Sequence, residues 1–158
     1  MADKGTSNIS VSVFMDDIKS SMSGDLDYTP VSGDDDAWIF AEVAVGASGS
    51  IAILDTSDSY LGLAAAVSLS DLVKWVAIKN ISTTSTEGVG ICIDDGAAAY
   101  NDSDIMVIGN GEMIVMKTPN LTVGHLNART CTLDSDGKPS AQGSATVTCQ
   151  VAAILEDV

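Results

Sequence analysis

Few side chains in this chain are suited to chemistry. There is one histidine, His125, and there are three cysteines, Cys92, Cys131 and Cys149, among 158 residues. Acyl-transfer chemistry of the serine-hydrolase kind needs a nucleophile, a base and an orienting acid. His125 is the sole histidine base on offer, and no G-x-S-x-G elbow accompanies it; Gly46-Ala-Ser-Gly49 departs from that pattern. His125 alternates with Leu121 and Val123, which predicts an ordinary strand histidine. Zinc would have to use Cys92, Cys131, Cys149 and His125, but structural zinc sites carry ligand pairs a few residues apart and all these spacings are wide. An odd number of thiols without a C-x-x-C predicts reduced, buried cysteines acting as small hydrophobes. Cys131 and Cys149 could meet only if the turn near Asp136-Gly137 joined two paired strands.

Carboxylates are the plentiful group. Asp134-Ser-Asp136-Gly137 opens like a calcium loop, yet Lys138 stands where a ligand is wanted and no Glu closes it. Asp34-Asp35-Asp36 is the other dense cluster. Glycosidases use two facing carboxylates, but among 22 acids some pair is always close, so proximity carries no information. Neither a P-loop nor a strand–G-x-G-x-x-G–helix unit occurs. Sequons at Asn8, Asn80, Asn101 and Asn120 read as by-products of a Ser-, Thr- and Asn-rich chain. The N-terminal MADKGTSNIS lacks the apolar core of an export signal, so no Sec export is expected. The resulting expectation is no enzyme, no cofactor, and no catalytic or metal site.

The net charge is -15, from 7 basic and 22 acidic residues, with a sequence pI near 4.1. Such a surface weighs against phosphate backbones and anionic membranes, and it favours solubility and a basic docking partner. Eighteen of the acids are Asp and four are Glu. Asp competes with the helix backbone and prefers turns, so this bias marks a strand-and-turn protein. Mean hydropathy is nonetheless +0.26 and 46% of residues are hydrophobic, which argues for a packed core. Aromatics are only 4%, so that core is aliphatic. The longest weakly polar stretch, Val43 to Leu54, falls short of the roughly 20 residues of a membrane span.

Ile9-Ser-Val-Ser-Val13 alternates strictly and predicts a short strand. Residues 1–8 read as a polar arm and 16–36 as a long loop. Residues 1–36 are therefore expected as a polar N-terminal arm or loop, ordered in part, and 37–158 as a single β-rich domain. Ala37–Val45 is the first strong strand, followed by a turn at Gly46–Ser50 and a returning strand at Ser50–Leu54. Tyr60–Leu69 fits a short helix or an irregular apolar segment. Leu72–Ile81 is apolar on both faces, as in mid-sandwich. Val89, Ile91 and Ile93 mark the next strand, before a turn at Asp94-Asp-Gly. Asp104–Ile108 and Glu112–Lys117 flank Gly109-Asn110-Gly111, the strongest short hairpin signal in the chain. Leu121–Leu126 follows Pro119. Asn127–Leu133 and Ser144–Leu155 then flank the turn DSDGKPSAQG, with Val147, Cys149 and Val151 opposing Thr146, Thr148 and Gln150. The fold expected is all-β, an antiparallel β-sandwich of jelly-roll type or a related barrel, with little helix.

From Lys74 to Leu126 the chain runs through WVAIKN, a Ser/Thr loop, GVGICID, an acidic loop, IMVIGNGEMIVMK and a Pro-led strand. This third of the sequence resembles small β-rich virion proteins of tailed bacteriophages, above all capsid decoration (cement) proteins. The resemblance implies a non-enzymatic protein made in the host cytoplasm and placed on the capsid exterior of the virion. It implies a homo-oligomer, often a trimer near local three-fold axes, that bridges major capsid protein subunits and stiffens the shell. Neither nucleic acid, membrane nor cofactor is then a partner, and residues 1–36 become the arm that reaches a neighbour and orders on docking. Other classes remain open: a tail or head-to-tail β-protein, a calcium- or carbohydrate-binding β-module, and an enzyme with an unrecognised carboxylate pair.

Overall fold

In the computed structural model, residues 5–15, 18–28, 37–47, 49–54, 68–93 and 105–156 are described. Their elements are β1 (Gly5–Met15), β2 (Ile18–Tyr28), β3 (Ala37–Val45), β4 (Ile51–Ala52), β5 (Leu72–Asn80) and β6 (Glu87–Ile93). After these come β7 (Ile105–Ile108), β8 (Met113–Thr122), a 3-10 turn (Val123–His125), β9 (Leu126–Leu133), β10 (Pro139–Gln142) and β11 (Val147–Glu156). The protein is all-β and built of antiparallel sheets. One sheet has the order β3-β11-β5-β8; the other runs β10-β9-β6-β7, with β4 end to end with β10 along the same edge of β9. β1 and β2 form a separate two-stranded sheet. The segment Tyr60–Leu69, expected as a short helix or an irregular apolar stretch, the Asp94-Asp-Gly turn and the Asp34-Asp35-Asp36 cluster lie outside the described residues, Ser68 and Leu69 excepted.

The alternation in β11 explains the sandwich. Val147, Cys149, Val151, Ala153 and Leu155 are buried, while Thr148, Gln150 and Ala152 between them are half-buried. An apolar face with period two must be covered by a second layer. The cover comes from Val89 and Ile91 of β6, Ile108 of β7, and Leu126 and Ala128 of β9, which join the same core cluster as Val45, Val73, Val76 and Ile78. β11 lies between β3 and β5, pairing Val151 with Ala41 on one side and with Ile78 on the other. The sheet centre therefore holds β11, the last described strand, paired to β3, the first described strand of this sheet. The expected apolar strand Leu72–Ile81 is β5, the other inner strand of this sheet.

Three local expectations are corrected. Ser50–Leu54 does not return against β3: only Ile51 and Ala52 are in a strand, and they pair with Ala128 and Asn127 across the sandwich. Gly109-Asn110-Gly111 does not close a hairpin, because β7 and β8 belong to different sheets. A tight hairpin turn of type I′ needs positive φ at both central residues. Here only Gly111 has it, at 74°, and the Glu112 N–H reaches the Gly109 carbonyl at 3.1 Å, so the turn steers the chain across the sandwich. The turn DSDGKPSAQG likewise does not join β9 to β11. It contains β10, which pairs with β9, and the chain then crosses to the other sheet. At that crossing Gly143 lies so close to β9 that an added Cβ would stand 2.7 Å from the Thr130 Cβ and 2.9 Å from its carbonyl carbon. A side chain there would collide with a neighbouring strand.

Pro119 does not start a new strand; β8 runs through it to Thr122. Proline lacks a ladder donor and is tolerated on edge strands and at bulges. Both conditions hold: β8 is an edge of its sheet, and the β5–β8 register shifts between Val73↔Leu121 and Trp75↔Lys117. The Thr118 hydroxyl donates to the Val73 carbonyl at 3.0 Å, supplying a donor to β5 within the bulge. Thr118→Val should therefore cost about 1 kcal/mol in urea unfolding, the usual loss for one neutral hydrogen bond.

Candidate interaction surface

Residues 18–28, expected as loop, form a full strand instead. β1 and β2 pair without a register break from Gly5↔Tyr28 to Met15↔Ile18, eleven residues each. The pattern that hides this strand is its polarity: Ser20, Ser21, Ser23, Asp25 and Asp27 leave little apolar alternation to read. Thr6, Asn8, Ile9, Ser10 and residues 21–25 are exposed, so this ribbon has a solvent face on both sides over that stretch. Ile9 is 44% and Met22 68% exposed. Isolated two-stranded ribbons are marginally stable in water and gain from being covered. Ile9 stands opposite Gly24, which has no side chain to fill the space beside it. The result is a saddle of about 310 Å³ lined by Asn8, Ile9, Ser10, Ser23, Gly24 and Asp25. Ile9 is thus an exposed apolar side chain ringed by hydroxyls, an amide and a carboxylate.

The residues singled out for chemistry are not brought together. His125 ends the 3-10 turn, half-buried, and is not in a strand as its alternation implies. Cys92 and Cys131 occupy paired strands at different rungs, opposite Asn127 and Gly88. Cys149 sits in the other sheet and faces the core. All three cysteines are buried and outside any disulfide, as expected, and β9 and β11 are not the paired strands that a Cys131–Cys149 bridge requires. Among the described residues no three His, Cys, Asp or Glu side chains gather as metal ligands. Asp134, first in the calcium-like loop, turns its Oδ1 to the backbone, accepting the N–H groups of Asp136 and Lys138 at 2.9 Å each. It caps the β9–β10 turn. Among the described residues no helix is long and apolar enough to cross a membrane.

Burial raises the Cys149 thiol from 9.0 to about 12. The neutral thiol is thus preferred by the folded chain, so its stabilising contribution is complete below the unfolded thiol pKa and is lost as pH rises from about 9 toward 12. Native Cys149 should resist maleimide at neutral pH and label fully once unfolded. Alkaline unfolding should begin in that pH window and lose part of its slope in Cys149→Ala.

Of the three buried polar side chains among the described residues, Asp71, Asn80 and Thr130, the one whose role sequence reasoning missed most is Asn80, fully buried at the end of β5. Its Nδ2 donates to the carbonyls of Glu87 at 3.2 Å and Ile108 at 3.4 Å, and its Oδ1 accepts the Ser82 N–H at 2.9 Å. Its backbone N–H reaches the Glu112 carbonyl and its carbonyl accepts the Gly111 N–H, both at 3.0 Å. The Ser82 hydroxyl also bonds the Glu87 carboxylate. One side chain thereby ties β5 in one sheet to β6 and β7 in the other. As a sequon residue it is inaccessible in the folded chain. A polar residue closing an apolar run, IKN, is the only signal in the sequence, and it does not distinguish a hub from a strand end.

No protein-family model matches this chain, and comparisons with curated proteins and with solved structures give no match either.

Proposed function

We propose that this chain is a structural virion protein, a capsid decoration (cement) protein that binds the outer surface of a tailed-phage shell and stabilises it. The observation that carries the reading is the β1–β2 ribbon. It is a long, regular element, exposed at residues 8–10 and 21–25, whose apolar side chains Ile9 and Met22 stand open to solvent. An element of this kind gains its stability on a partner. The partner in this reading is the major capsid protein, and the chain acts as a homotrimer. Its charge of -15 repels nucleic acid and anionic lipid, and suits the exterior of the virion. The calcium-module reading is weakened because Asp134 already serves as a backbone cap. Immunogold electron microscopy of virions carrying this protein tests the proposal. Gold over the capsid shell supports it; gold confined to the tail moves the chain to a tail role, and particles without label remove it from the virion.

A further inference from the structure

The turn that carries the chain between the sheets contains Asn110-Gly111, and Asn110 is exposed. Asparagine followed by glycine is chemically special. The glycine nitrogen can lose its proton and attack the asparagine Cγ, because no side chain on glycine blocks the approach. The new N–Cγ bond closes a succinimide and ammonia leaves. Water then opens the ring at either carbonyl, leaving aspartate or, with one more backbone carbon, isoaspartate. Neither oxidant nor cofactor is needed.

In the folded chain the attacking atom is held. The Gly111 N–H donates at 3.0 Å to the carbonyl of Asn80, which is fully buried. The loop is fixed from both ends: Glu112 Oε2 accepts the Gly109 N–H at 2.7 Å, and the Glu112 carbonyl accepts the Asn80 N–H at 3.0 Å. A nitrogen whose proton is engaged with a buried acceptor cannot readily give it up or turn toward Cγ. Moving it means breaking the clamp that closes this end of the sandwich.

We propose that Asn110 is a deamidation site gated by this clamp, silent in the native fold and reactive when the β7–β8 turn opens. The reaction is one-way. Isoaspartate at 110 lengthens the backbone beside Gly111, so the N–H no longer meets the Asn80 carbonyl in the same register, and a new carboxylate sits next to Glu112. A transient opening of the sandwich end thus becomes permanent. This inference is independent of the virion reading.

The test is peptide mapping by mass spectrometry after incubation at pH 7.4 and 37 °C in ¹⁸O-water, which marks each hydrolysed succinimide. Native protein, urea-unfolded protein and the folded variant Glu112→Ala are compared, with Asn110→Ser as the control without the amide. The native chain should react at least about tenfold more slowly than the unfolded one, because reaction proceeds only through the open fraction. Glu112→Ala, which frees the Gly109 end while leaving the buried core intact, should react several-fold faster than native. Equal rates in native and unfolded protein would overturn the gating. An unreactive Asn110 in the unfolded chain would overturn the site itself, and an unchanged rate in Glu112→Ala would remove the turn clamp as its cause.

Discussion

Replacing Asn80 by Ala should lower stability by about 3 kcal/mol, because it strands the Ser82 N–H and two carbonyls at a buried position. For a chain of this size that is a fall in melting temperature of roughly 6–12 °C. Asn80→Asp should be at least as damaging. It keeps an acceptor for Ser82 but turns an anionic oxygen toward the Glu87 and Ile108 carbonyls at a fully buried position. Differential scanning calorimetry of the two variants beside Lys79→Ala, an exposed change one residue away, checks this. Equal melting temperatures for all three would mean that the hub does not hold the two sheets together.

A chain ended at Thr146 should not fold. Ending there removes β11, the strand between β3 and β5, and leaves both facing an empty place in the sheet. Val147, Val151 and Leu155 alone account for about 5–9 kcal/mol of burial. That is comparable with the about 5–15 kcal/mol that holds a whole domain together. The hydrogen bonds along both edges of β11 are lost as well. Far-ultraviolet circular dichroism should show no cooperative thermal transition, and amide exchange should be unprotected throughout β3 and β5. The same placement implies slow folding, since the first strand of the sandwich waits for the last before it can pair.

Where side chains alternate, the strands were legible in the sequence. Ala37–Val45 matches β3 residue for residue, and Val147, Cys149 and Val151 point inward as their spacing implies. What did not follow from local pattern is which strands pair. Asn110-Gly111 carries a hairpin sequence, yet the Asn80 clamp and a single positive φ turn it into a crossing between sheets. Pro119 reads as a strand start, whereas an edge position with a bulge absorbs it inside β8. The strand at residues 18–28 is hidden because the side chains of residues 21–25 face solvent rather than a core, so burial imposes no alternation there. Asn80 was invisible for a related reason. Its role depends on Glu87 and Ile108, which only the folded chain brings to it.

The most direct test of the proposed docking is cosedimentation of the purified protein with empty capsid shells of a tailed phage whose genome encodes it. The wild-type chain and the variant Ile9→Lys/Met22→Lys, altered only at exposed ribbon positions, are titrated side by side. The account predicts saturable binding of the wild type at a fixed ratio to capsid subunits, and at least about tenfold weaker binding of the variant, as expected on losing apolar anchors. A wild-type chain that stays in the supernatant at every ratio would contradict it.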